Sequence, residues 1–168
     1  MFEARNVVAL LGIVTVIACG CGNSTAAATS QVSPVGCASS AIAQASASLQ
    51  GGTGNAVGQF RLVNSGTAAC VLRGAPAVTF FTAAGKALPV QNIGRAKQAS
   101  RKLVVQSGAT AVSDIEWGNG CHLPANAARV ELAWPGGSAV APVAGTKLPR
   151  CDAPNLKSHV SASAFTGE

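Results

Sequence analysis

The sequence predicts an all-β domain, an immunoglobulin-like antiparallel β-sandwich, and three observations predict it. No segment carries apolar residues at helical spacing for long, whereas short alternating runs recur with Gly, Pro or Asn breaking most of the intervals. Hydrophobic residues make up 48% of the chain, yet aromatics reach only 4% and Tyr is absent, so the core is built of small and β-branched side chains. Such a core is thin and gains from covalent support, and six cysteines are present to supply it. At 168 residues the chain is long enough for one domain after a leader and too short for two substantial cores.

Met1 to Asn6 is a short, weakly cationic start, and Val7 to Ala18 is a run of twelve apolar or weakly polar residues. Twelve residues of helix cover about 18 Å, against roughly 30 Å of bilayer hydrocarbon. The run is therefore expected to be a secretory leader over residues 1–18 and not a spanning helix. It stops on Cys19 after Val16-Ile17-Ala18, which resembles a bacterial lipobox. That resemblance implies cleavage before Cys19, a diacylglycerol on its sulfur and acylation of the new amine. One chain binds a bilayer reversibly and two hold durably, at about 0.8 kcal/mol per CH₂ buried. Metal binding by Cys19 and Cys21 is a poorer reading, because no His lies nearby to complete a tetrahedral set. Cys21 is left as an odd thiol without an assigned partner.

From Gly20 to about Pro34 the residues are mostly Gly, Ser, Thr, Ala and Asn, too small and polar to offset their ordering entropy by burial. Residues 19–35 are read as a lipidated start and a flexible tether spanning roughly 20 Å. The domain is placed at residues 36–166.

Within it, Ile42 to Leu49 is a plausible first strand with a weak pattern, Ala43, Ala45, Ala47 and Leu49 opposing Ile42, Gln44, Ser46 and Ser48. Val57 to Val63 is stronger, with Phe60 and Leu62 facing one way and Gln59 and Arg61 the other. Ala77 to Thr82 follows Gly74 and Pro76, then turns through Ala84-Gly85-Lys86 into Ala87 to Val90. Leu103 to Gln106, Thr110 to Trp117, Arg129 to Trp134 and Ser158 to Phe165 complete the set. Ile115 and Trp117 share one face, as do Val130, Leu132 and Trp134. Strands this short and numerous, in about 130 residues, point to two sheets packed face to face, since one open sheet leaves a face uncovered. A small closed barrel is the alternative.

Setting Cys19 and Cys21 aside leaves Cys37, Cys70, Cys121 and Cys151, an even number in an exported domain, so disulfides are the default. Four cysteines permit three pairings. The sequential one, Cys37 with Cys70 and Cys121 with Cys151, is the working expectation, each bridge contributing roughly 3 to 4 kcal/mol against a total stability of about 5 to 15.

Cys37, Gly58 to Leu62, Asn64-Ser65-Gly66, Cys70-Val-Leu-Arg-Gly-Ala-Pro76, Ser107-Gly108, Ile115 to Trp117 and Cys121 together resemble the actinobacterial family catalogued as domain of unknown function 4232. The resemblance covers about Cys37 to Phe165. It implies an immunoglobulin-like sandwich, commonly after a lipoprotein leader, and no known activity. Ser107-Gly108 departs from the Pro-Gly usual there, which is expected to relax the turn without altering the fold.

The inventory for chemistry is small: two His and six acidic residues. There is no H-E-x-x-H spacing, no G-x-S-x-G elbow and no Gly-rich phosphate cradle, Gly118-Asn-Gly120 reading as a turn. A non-enzymatic protein without cofactor or metal is expected. Lys and Arg total 12, giving a formal net charge of +6. Four of these cations, Arg95, Lys97, Arg101 and Lys102, fall in eight residues with no acid, either a solvated inter-strand loop or a contact for anionic surfaces. The sequence thus points to a lipoprotein on the extracytoplasmic face of the cell membrane, a non-catalytic binding module. Its expected partners are the membrane through the N-terminal lipid and an anionic lipid, wall polymer or envelope protein, with nucleic acid excluded by compartment. The alternative is a small-molecule or metal-handling lipoprotein using His122, His159 or Asp152.

Overall fold

A computed structural model describes residues 33–51, 54–143 and 148–168. The leader, Cys19 and Cys21 lie outside the described residues. Eleven strands and no α-helix occur among the residues described. The largest sheet takes β1 (Ile42–Gly51), β2 (Asn55–Asn64), β7 (Thr110–Gly118), β10 (His159–Ala162) and β5 (Gln91–Ile93) in that spatial order, with β11 (Thr166–Gly167) on the other half of β7. The opposing layer holds β4 (Ala77–Phe81), β8 (Arg129–Trp134) and β9 (Gly137–Pro142), with β3 (Cys70–Arg73) and β6 (Lys102–Val105) as a separate ladder. The sheets keep open edges, so the fold is a sandwich and not a closed barrel. Pairing among the described strands is antiparallel except between β5 and β10, which run parallel, and a single parallel bridge also joins Gly36 to Val71, so the sheet is mixed and the expectation of purely antiparallel pairing is corrected at these places. A long connection from β5 to β10 makes this possible, since a parallel neighbour needs a crossover where an antiparallel one needs only a hairpin.

Alternation explains the inward faces. Ala56, Phe60 and Leu62 of β2, Ala111, Ile115 and Trp117 of β7, and Val130, Leu132 and Trp134 of β8 are all buried. Phe80 of β4 stacks on Trp117 across the sandwich with ring centroids 4.0 Å apart, and Trp134 meets Phe165 edge-on at 5.9 Å. Each indole N–H is satisfied, Trp117 donating to Ser158 Oγ at 2.9 Å and Trp134 to the Cys37 carbonyl at 2.7 Å. In β1 the register slips between Ile42 and Gln44, leaving Ala43 as an extra residue. Such a bulge reverses the parity, so Ile42 packs on the core beside Ala45, Ala47 and Leu49 instead of opposing them.

Both disulfides pair sequentially, Cys37 with Cys70 and Cys121 with Cys151, closing separations of 33 and 30 residues. Buried Asn64 ties the corner between β2 and β3: its Nδ2 donates to the Ala68 and Val105 carbonyls at 3.0 Å each, and its Oδ1 accepts from Gly66 N–H at 3.0 Å. The Ser107-Gly108 turn is not slack. Gly108 takes the left-handed conformation at φ 76°, and the Ser107 hydroxyl donates to the Gly66 carbonyl at 2.6 Å, a tie that proline there would lack. Asn92 of β5 closes the sandwich at one side, its amide accepting from and donating to the Val78 backbone at 2.7 and 2.9 Å. A side chain thereby covers part of the β4 edge.

Candidate functional site: a basic surface and a polar trough

The four cations singled out in the sequence lie between β5 and β6. Gly94, left-handed at φ 75°, starts a 3-10 turn over Arg95–Gln98 that carries Arg95 and Lys97, and Arg101 and Lys102 lead into and open β6. All four are exposed. A fifth cation escaped sequence reasoning. Arg73 is the direct cross-strand partner of Lys102 at the end of the β3–β6 ladder, and it too is exposed. Cross-strand partners stand about 4.5 to 5.5 Å apart at Cβ, a position where like charges destabilise.

This surface is held in place. Gly74 N–H donates to the Arg101 carbonyl at 2.7 Å, and Arg95 Nε–H donates to the Ala75 carbonyl at 3.3 Å. Left-handed Gly74, at φ 67°, allows the chain to swing from β3 towards β4 so that these bonds form. The result is a shallow trough of about 340 Å³ with Arg73 and Arg95 at its sides and Ala75, Ala96, Ala99 and Pro135 among its lining. The only ion pair among the described residues joins Arg61 to Glu168, so none of the five cations engages a carboxylate there.

On the other side of the same turn lies a trough of about 530 Å³ over the outer face of the large sheet. Gly94 and Gln98 contribute to one wall, and Gln59, Asp114, Glu116 and Ser161 are among the strand residues lining it. Asp114 and Glu116 alternate on one face of β7, each receiving a carboxamide from β2: Gln59 Nε2 to Asp114 Oδ1 at 3.0 Å and Asn55 Nδ2 to Glu116 Oε1 at 2.8 Å. Gln98 also binds the Ala164 N–H through its Oε1, which fastens the 3-10 turn to the segment between β10 and β11.

The residues named for metal handling do not assemble into such a centre. His122 sits at a left-handed position, φ 61°, beside Cys121, and its Nε2 meets the Pro154 carbonyl at 2.7 Å. His159 leans over Gly118, where a Cβ would come within 2.7 Å of its Nε2, and Asp152 lies against Gly54. Among the described residues no three or more His, Cys, Asp or Glu side chains gather to hold an ion. The turn at Gly118-Asn-Gly120 is present, with Asn119 left-handed at φ 52° and its Nδ2 donating to the Ala153 and Leu156 carbonyls at 3.1 and 2.7 Å. Its amide pins the loop that ends in the Cys121–Cys151 bridge.

The fold and its surfaces define a small disulfide-stapled β-sandwich whose distinguishing features are cationic and polar surfaces. The chain belongs to the family described as domain of unknown function (DUF4232), whose family model matches residues 37–162. Neither a search of curated proteins nor one of solved structures returned a match.

Proposed function

We propose that this protein is a lipid-anchored module on the extracytoplasmic face of the membrane that binds another envelope component without catalysing a reaction. The observation that carries the reading is Val16-Ile17-Ala18-Cys19 at the end of a twelve-residue apolar run. The two disulfides support it, because bridges persist in oxidising compartments and reduce readily in the cytosol. Metabolic labelling with an alkynyl fatty acid tests the anchor. At high salt, which screens electrostatic binding, the wild-type chain takes the label and sediments with membranes, and Cys19→Ser abolishes both. An untagged wild-type chain, or a Cys19→Ser chain equally membrane-bound, refutes the anchor.

A second reading, capture of a small molecule, is favoured by the trough over β2, β7 and β10, whose volume of about 530 Å³ falls in the range of ligand sites. Native mass spectrometry of protein from its own envelope distinguishes the two. A retained ligand lost on Asp114→Asn promotes this reading, and an empty domain leaves the binding module.

A further inference from the structure

We infer that Arg73, Arg95, Lys97, Arg101 and Lys102 form a docking surface for the anionic headgroups of the bilayer. The inference rests on the anchored reading above and names the face that the domain turns to the membrane.

The juxtaposition of Arg73 and Lys102 is the first ground. Two cations occupy directly opposed positions on a ladder of two short strands, and no carboxylate among the described residues is paired with either. That arrangement costs stability in the isolated domain and is relieved when an anion lies over both. The fold also stiffens the surface: the Gly74–Arg101 and Arg95–Ala75 hydrogen bonds fix the two backbone segments that carry the cations. Rigid placement reduces the ordering cost of binding.

The second ground is where the chain enters the domain. Val71 N–H donates to the Val35 carbonyl at 2.8 Å, and Cys37 N–H donates to the Val71 carbonyl at 3.1 Å. The incoming segment thus pairs with β3, the strand that ends in Arg73, through a single parallel bridge between Gly36 and Val71. A Cβ on Gly36 would lie 3.5 Å from the carbonyl of Pro135, which itself lines the trough of Arg73 and Arg95. The described chain therefore enters the domain alongside β3, which ends in Arg73, with Val35 towards the Cys70 end of the parallel pair. Val35 and Val104 are among the most exposed large hydrophobic residues, at 73% and 47%, and Val104 follows Lys102 on the outward side of β6. Apolar side chains beside cations suit the headgroup region, where both find partners. A soluble wall polymer would satisfy the cations and leave Val35 and Val104 unused, so the bilayer is the favoured partner.

Hydrogen exchange of the full chain on vesicles of phosphatidylcholine, with and without phosphatidylglycerol, tests this. Exchange in residues 71–75 and 95–104 is expected to slow on the anionic vesicles, to remain unchanged on neutral ones and to recover at high salt. Flotation of the unlipidated Cys19→Ser chain quantifies it: each cation replaced contributes about fivefold to the preference for anionic vesicles, so adding Arg73→Gln with Lys102→Gln lowers it about 25-fold. Lys86→Gln with Lys157→Gln removes the same charge elsewhere and leaves the preference within about threefold. Equal losses in the two pairs would reduce the effect to net charge and overturn the proposal. So would equal exchange on both vesicles, or protection produced by soluble teichoic acid and not by phosphatidylglycerol. If the wild-type chain fails to float with neutral vesicles the anchor is refuted, and flotation of the Cys19→Ser chain with anionic vesicles alone would still establish the surface.

Discussion

Replacing each disulfide in turn separates covalent from packing contributions to stability. The bridges close separations of 33 and 30 residues. With an entropy of about −2.1 − 1.5R ln n cal/mol/K for the constrained unfolded chain, each is worth about 3.7 kcal/mol at 25 °C. Loop closure thus predicts nearly equal losses, and any difference reports on the native state. Cys37 and Cys70 are 0% and 5% exposed and belong to the central core. Cys121 is buried, but its partner Cys151 is exposed. Truncating the first pair to Ala leaves unfilled space in the core, at a further cost of about 1 to 2 kcal/mol. The expected losses are therefore about 5 kcal/mol for Cys37→Ala with Cys70→Ala and about 3.7 kcal/mol for Cys121→Ala with Cys151→Ala, measured by equilibrium urea unfolding. Stepwise reduction followed by mass spectrometry gives a second reading, with the Cys121–Cys151 bridge opening first because an attacking thiolate reaches Cys151. Equal losses, or the opposite order of reduction, would refute the assignment of Cys37–Cys70 to the core.

Two further substitutions probe local structure. Asn64→Ala removes a buried amide that serves three backbone groups, and an expected loss of at least about 2 kcal/mol is readable in urea unfolding. Gly58→Ala would place a Cβ 1.7 Å from the Ser48 carbonyl oxygen, a backbone atom that cannot swing aside, so β1 should separate from β2 and its amides should lose protection from exchange.

The strands legible in the sequence were those with strong alternation and large inward side chains. Phe60 and Leu62, Ile115 and Trp117, and Val130, Leu132 and Trp134 all face the core as their spacing predicts. Four strands have no counterpart in the sequence pattern: β3, β5, β9 and the two-residue β11. β3 lies in Cys70-Val-Leu-Arg, where Cys70, Val71 and Leu72 are all buried, so no alternation survives. β9 is Gly-Ser-Ala-Val-Ala-Pro, whose small side chains carry almost no pattern, and it exists because β8 offers it a complete ladder. The expected strand at Ala87 to Val90 reduces to a single bridge from Ala87 to Phe81, and pairing resumes at Gln91–Ile93. Pro89 and the docking of β5 beside β10 decide that boundary, which is a tertiary effect. Arg73 was missed for a similar reason. Its relation to Lys102 is set by the register of a ladder spanning some thirty residues of sequence, which composition and spacing do not encode.

The 3-10 turn at Arg95–Gln98 has a further consequence if the domain is anchored as proposed, because it divides two surfaces of opposite sign. Arg95, Ala96 and Ala99 line the basic trough, whereas Gly94 and Gln98 line the trough that holds Asp114 and Glu116. Near an anionic surface each unit charge is worth about 1 kcal/mol, favourable for a cation and unfavourable for a carboxylate. Docking by the five cations and docking by the acidic trough then differ by about 7 kcal/mol before screening, and even a severalfold reduction at physiological ionic strength leaves one orientation dominant. On the proposed reading the acidic trough is held off the membrane and open to a soluble ligand or partner while the basic side is engaged. Fluorophores attached through Val104→Cys and Ser161→Cys test the orientation on phosphatidylglycerol vesicles. The label at 104 should be quenched by headgroup-borne quencher and the label at 161 by an aqueous one. Shielding of position 161 would show that the domain lies on its acidic face, and the electrostatic argument for its orientation would fail.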